Sequence, residues 1–130
     1  MVDSVVHVEI IGRDPQRLRE FYGQLFGWQF DLPSPVAGEV SDGELYGFVN
    51  PVDGSGPVAA GVGGGPSFAP HAVFYVGVAD VTAALAEAVR LGGSVAMPVS
   101  ANPDGQLLVA QFADPEGTVV GLAGPVKSSP

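Results

Sequence analysis

The chain contains two histidines, His7 in SVVHVEIIGRD and His71 in PHAVFYVGVADV. An imidazole ligates divalent ions and exchanges protons near neutral pH. Two of them make a partial ligand set, so an ion would need further donors from carboxylate, water or substrate. Glu9 stands two residues beyond His7 on the same strand face, about 6.6 Å along it at ordinary rise. It can act as a further ligand or as a general base. The plainer reading is a carboxylate solvated in a wet cleft, because burial without partners is costly. Each histidine likewise has the plainer reading of a hydrogen-bonded residue lining a cleft. Tyr46, Phe48, Tyr75 and Trp28 can wall a site for a flat or apolar ligand, although Phe48 and Trp28 also suit ordinary core. Gln111 is the polar side chain in LLVAQFA and faces either the cleft or solvent.

Several chemistries are excluded. With no cysteine, the chain has no disulfide framework, no zinc–thiolate site and no thiol nucleophile. No G-x-S-x-G elbow supports a serine nucleophile. GVGGGPSFAP lacks the Lys-Ser/Thr and the following helix of a phosphate loop, and reads instead as a flexible connector. A formal net charge of −9 repels polyanions, so nucleic acid and anionic membrane surfaces are unexpected partners. No apolar run reaches the roughly 18 residues needed to span a bilayer. The first residues lack a basic stretch ahead of an apolar one, so a cytoplasmic location is the default expectation.

The elements that must position these residues come as two similar halves. SVVHVEII alternates as a half-buried strand does, with His7 and Glu9 on one face and Val6, Val8 and Ile10 on the other. Asp14 and Pro15 then supply an N-cap and a first helical residue. Leu18, Phe21, Tyr22, Leu25 and Phe26 form one apolar stripe at helical spacing, closed by Gly27. An extended segment follows from Trp28 to Leu32, then the loop-like PSPVAGEVSDG. Two further strand-like runs, GELYGFVNP and PVAAGVGGG, are joined by a turn at Asp53 and Gly54.

The second half repeats this order. HAVFYVGV is a strand carrying His71, Val73 and Tyr75 on one face, and Asp80 caps a helix whose stripe is Val81, Ala84, Leu85, Ala88 and Val89. Gly92 and Gly93 end that helix. SVAMP, QLLVAQFA and TVVGLAG complete the unit, the last two joined by the turn DPEG. The chain therefore reads as a duplicated βαβββ unit of about 60 residues. One helix covers one face of each sheet, and the two bare faces can share a cleft lined by His7, Glu9, His71 and Tyr75. A 130-residue chain of 46% apolar composition can bury a core as one domain, with modules at about 4–64 and 70–124.

The paired βαβββ order, the strand-start histidines, EFYGQLFGW and FADPEGTVVGL resemble the vicinal oxygen chelate superfamily of glyoxalase I, bleomycin-resistance proteins and extradiol dioxygenases. The resemblance spans about Val5 to Gly124. It implies an α+β fold of two tandem modules forming a curved mixed sheet around a cleft. It also implies a site for a small molecule there. By correspondence with metal-using members, His7 and His71 would be ligands to a divalent ion (Zn, Ni, Fe or Mn); from their own placement, Glu9 would then move a proton, and Tyr46, Phe48, Tyr75 and Gln111 would contact substrate. The chemistry implied is that of a lyase, isomerase or dioxygenase. The two histidines favour this enzyme reading, whereas departures from the ligand pattern, Gly121 above all, favour the competing class, a metal-free protein that sequesters a drug or metabolite. Gly121 occupies the position of the usual last-strand glutamate, and LYGFVN offers no carboxylate for a further ligand, only the amide of Asn50. Members pair modules within a chain or across a dimer, so a homodimer is expected.

Overall fold

The computed structural model describes residues 2–32, 36–43, 45–49, 58–103 and 105–126. The expected turn at Asp53 and Gly54, and Asn50, lie outside these. The chain folds as two compact units, Val6–Ala72 and Val73–Pro130, the second joined by Met1–Val5. The element order is βαβββ twice. The first unit has β1 (Val5–Gly12), α1 (Pro15–Phe26), β2 (Phe30–Asp31), β3 (Gly47–Val49) and β4 (Ala59–Gly64); the second has β5 (His71–Gly77), whose first two residues belong to the first unit, α2 (Val81–Arg90), β6 (Ser94–Ala101), β7 (Leu107–Ala113) and β8 (Val119–Pro125).

Each unit builds a mixed sheet with the same pairing rule. The last strand lies parallel to the first, β4 beside β1 and β8 beside β5. The remaining pairs are antiparallel, giving β1-β4-β3-β2 and β5-β8-β7-β6. The strand β6 continues past SVAMP to Ala101, further than the turn residues of SANPDG suggest. It is the outer strand of its sheet and its register shifts around Met97, and such an edge tolerates Pro98.

Both helices start as their sequences dictate. The carboxylates of Asp14 and Asp80 accept the N–H groups of Arg17 (3.2 Å) and Ala83 (3.0 Å), and Gly27 closes α1 at φ +73°. Replacing Asp80 with alanine removes a cap and is expected to lower stability by about 1 kcal/mol in urea unfolding. The packing of the two helices differs. Val81 and Leu85 of α2 lock onto Ala110 and Leu122, with Val78, Ala84, Val99, Leu108 and Phe112 around them. In α1 the expected inward stripe is open: Phe21, Leu25 and Phe26 are each more than half exposed. Leu18 and Tyr22 alone of that stripe turn toward the sheet, and Tyr22, Phe26, Trp28 and Phe30 gather into an aromatic cluster of their own.

Much of the core of the first unit lies on the other face of its sheet. Ile11 and Tyr46 are buried there with Ala37, Val40 and Ser41, while Val62, in register with Ile10, is buried on the α1 face. The last three come from PSPVAGEVSDG, which reads as surface loop from its composition. The glycine run is likewise interior and not a flexible connector, since Gly61 to Gly65 are all buried. Their missing side chains leave the room that Tyr46 and Ser41 occupy: a Cβ on Gly61 would lie 2.1 Å from the Tyr46 hydroxyl, and one on Gly63 2.9 Å from Ser41 Oγ. Ser41 Oγ accepts the Gly64 N–H at 2.9 Å and so ties the covering segment to β4.

Candidate functional site

On β1, strand alternation sends His7, Glu9 and Ile11 to the face away from α1, while Gly12 meets Leu18 of the helix. Glu9 pairs in register with Gly61 of β4, and Gly61 with Phe48 of β3. Tyr46 enters this row from just before β3 and lies across Gly61 and Gly63. Arg19 of α1 fixes its approach by donating to the Leu45 carbonyl at 2.7 Å.

The result is a hydrogen-bonded chain of three side chains. Tyr46 Oη stands 2.6 Å from His7 Nε2 and 3.2 Å from Glu9 Oε1. Tyrosine has one proton to give. If it goes to the carboxylate, His7 must carry its proton on Nε2 and donate to Tyr46 Oη. That order satisfies both contacts: His7 Nε2–H to Tyr46, and Tyr46 O–H to Glu9. Burial lowers the His7 pKa to about 4, so its ring is neutral at pH 7 and carries the one proton this chain requires. Glu9 is 2% exposed and Tyr46 1%. Removing the hydroxyl as Tyr46→Phe takes a donor from a buried carboxylate at almost unchanged shape; unfolding should show a loss of about 2 kcal/mol.

Phe48 borders this cluster from the accessible side. Its ring centroid lies 5.0 Å from that of His7, and the side chain is 37% exposed. Tyr46, by contrast, is a buried hydrogen-bonding hub and not an open aromatic wall. Trp28 joins the aromatic cluster beside α1.

In the second unit, Tyr75, Gly121 and Gln111 form one row across β5, β8 and β7. Tyr75 is buried, and its Oη accepts from Gln111 Nε2 at 2.9 Å. Its ring covers Gly121, where an added Cβ would stand 2.3 Å from a ring carbon. Each last strand thus presents a glycine beneath a tyrosine ring: Gly61 beneath Tyr46, and Gly121 beneath Tyr75.

His71 has other surroundings. It is exposed, and its Nδ1–H donates to the Ala69 carbonyl at 2.8 Å. Among the described residues, no three of His, Cys, Asp or Glu gather closely enough to hold an ion. The strand that supplies donors beside β1 is β4 and not LYGFVN, which forms β3 one strand further out. On the His7 face β4 offers Ala59, Gly61 and Gly63. The donor set therefore does not fit a divalent ion: His7 Nε2 is engaged by Tyr46, and the last-strand positions are glycines under aromatic rings.

The sequence profile of the Glyoxalase/Bleomycin resistance protein/Dioxygenase superfamily matches residues 4–122, and the chain belongs to that superfamily. Solved structures share its fold. A variant of methylmalonyl-CoA epimerase from Streptomyces coelicolor, in complex with 2-nitronate-propionyl-CoA, is 18% identical over 100% of both chains with a TM-score of 0.66. Methylmalonyl-CoA epimerase from Mycobacterium tuberculosis is 14% identical over 95% of this chain and 88% of its own, with a TM-score of 0.65. A superfamily member from Vibrio splendidus 12B01 is 15% identical over 95% and 99%, at 0.57. No curated protein matches the sequence significantly. Among the described residues, no helix is long and apolar enough to cross a membrane.

Two features lie outside what residue types alone suggest. One is the fit of Tyr46 over the alternating glycines of β4. The signal was present in GVGGG, whose period-two gaps on one strand face ask for a large side chain from elsewhere. The other is that Gln111 partners Tyr75 and does not stand alone on its strand.

Proposed function

We propose that this protein binds a small organic molecule without a metal ion, on the sheet face where Phe48 and His7 overlie the buried Tyr46–Glu9 pair. The observation that carries this reading is the Tyr46 hydroxyl joined to both His7 and Glu9. It joins the donor types of a metal site to one another through hydrogen bonds. Tyr75 over Gly121 supports the same reading from the second unit. The ligand contacts the Phe48 ring through an apolar or flat part and the His7 edge through a polar one. A thermal-shift screen of small organic acids, acyl thioesters and aromatic compounds, run with chelator, should yield binders whose effect is lost in Phe48→Ala. A binder that acts only with added metal, and equally on Phe48→Ala, would refute the reading.

A second reading has its own support. Glu9 is a buried carboxylate with a tyrosine donor, and the fold is shared with epimerases of a CoA ester. On it, Glu9 removes a proton from carbon next to a carbonyl of the bound molecule, and Tyr46 steadies the change in charge. Binders with an acidic α-hydrogen, incubated in heavy water, should then take up deuterium with wild type and not with Glu9→Gln. Absence of uptake with every confirmed binder leaves sequestration as the function. Both readings take the protein as a cytoplasmic homodimer, for which light scattering should give twice the chain mass; a monomer mass removes that part.

A further inference from the structure

A groove of about 670 Å³ lies on the α1 side of the first unit, apart from the Glu9–Tyr46 face. Its apolar wall includes Ile10, Leu18 and Phe21, and its polar edge carries two cations, Arg13 and Arg17, one carboxylate, Asp14, and the His71 imidazole. This volume suits a small organic ligand.

The charges at its edge are unusual for this chain. The sequence has 14 acidic residues and five cations, and two of those five stand here. In so acidic a protein, an arginine would ordinarily find a carboxylate. Among the described residues the ion pair formed is Glu87 with Arg90, and neither Arg13 nor Arg17 has one. The Asp14 carboxylate between them accepts the backbone N–H of Arg17 as the helix cap. The first turn of α1 also carries no acidic residue, so Arg17 stands where the helix dipole disfavours a cation. Two arginines outside any ion pair, one of them against the dipole, border an apolar trough, and the one carboxylate between them is engaged as the helix cap. Phe21 in that trough is 58% exposed, a large apolar area left to water.

We propose that this groove binds an amphipathic small anion, namely a carboxylate on an aryl or branched alkyl body. Its apolar part lies on Ile10, Leu18 and Phe21, and its carboxylate is held by Arg13 and Arg17, whose planar guanidinium groups match that geometry. His71 adds an imidazole edge to the same rim. The site is independent of the ligand proposed for the Phe48–His7 face, and either could exist without the other.

The test uses 8-anilinonaphthalene-1-sulfonate fluorescence on the full chain, with 1-naphthoate, 1-naphthylmethylamine and 1-naphthylmethanol as competitors. The groove predicts displacement by naphthoate at concentrations at least tenfold below those needed of the amine or alcohol. It predicts at least tenfold weaker naphthoate binding to the R13Q/R17Q double variant. Phe21→Ser should weaken binding as well, through the apolar wall. Both arginines are exposed, so the double variant should keep its melting temperature. Equal displacement by all three competitors would overturn the proposal, as would full naphthoate affinity in R13Q/R17Q. Loss in Phe48→Ala with retention in R13Q/R17Q would place the binder on the other face and overturn it too.

Discussion

Gly64→Ala is expected to destabilise the protein by about 4 kcal/mol, enough to leave a marginal domain largely unfolded. Two effects add. The Gly64 backbone sits at φ +123°, which an L side chain adopts only under strain of roughly 1–3 kcal/mol. The new Cβ would also lie 2.1 Å from the Gly12 carbonyl oxygen of the paired strand. That atom is backbone, so relief requires β1 and β4 to move apart, at a further cost of roughly 1–3 kcal/mol. Moving them disturbs the Gly65 N–H bond to Gly12 O at 3.0 Å and the Ser41 bond to Gly64, both of which fix the register. Gly38→Ala is the control, because a Cβ there meets nothing within 4 Å. Urea unfolding should show a change within about 0.5 kcal/mol for Gly38→Ala. A comparably small loss in Gly64→Ala would mean that the β1–β4 register is wrong.

The second large effect is a dependence of stability on pH carried by His7. Burial holds its folded pKa at about 4, below the ordinary histidine value of about 6.5. Between those values the unfolded chain binds a proton that the folded chain does not, so acid favours unfolding. The stabilisation is complete above pH 6.5 and is lost as pH falls toward 4, with a ceiling on the order of 3 kcal/mol. Carboxylates titrate over part of the same range, so the comparison must be with His7→Gln, which keeps an amide near Tyr46 and has no titrating ring. The difference in unfolding free energy, wild type minus variant, should fall by about 2–3 kcal/mol from pH 7 to pH 4. A constant difference would mean that His7 is solvated, and the Tyr46–His7 bond would lose its support.

Much of the fold is legible in the residues. Alternation in VVHVEII and HAVFYVG, the Asp caps and the Gly27 end each have a local cause, and local causes survive into the structure. The helix stripe of α1 misleads because spacing shows which residues share a face, but not what covers that face. Phe21, Leu25 and Phe26 share one and remain exposed. The core role of Ala37, Val40 and Ser41 is invisible locally, since it depends on the tertiary match between a loop and a glycine-rich strand.

The site follows the same division. Glu9 and His7 are placed on one face by period two alone. Their joining through Tyr46 requires a partner 37 residues from Glu9 to cross two glycines, which sequence spacing does not encode. The matching histidine positions suggest a shared role, yet the structure gives them different ones. His7 is held by Tyr46, and His71 by the carbonyl of Ala69 at the rim of a groove.

The polar residues of this face bond to one another through Tyr46, which leaves a divalent ion without a ligand set among the described residues. Elemental analysis of protein purified without chelator, beside the His7→Ala/His71→Ala double variant, tests it most directly. Both proteins should contain substoichiometric metal, and wild type should show no thermal shift with nickel, zinc, iron or manganese. Stoichiometric metal in wild type that disappears in the double variant would contradict it.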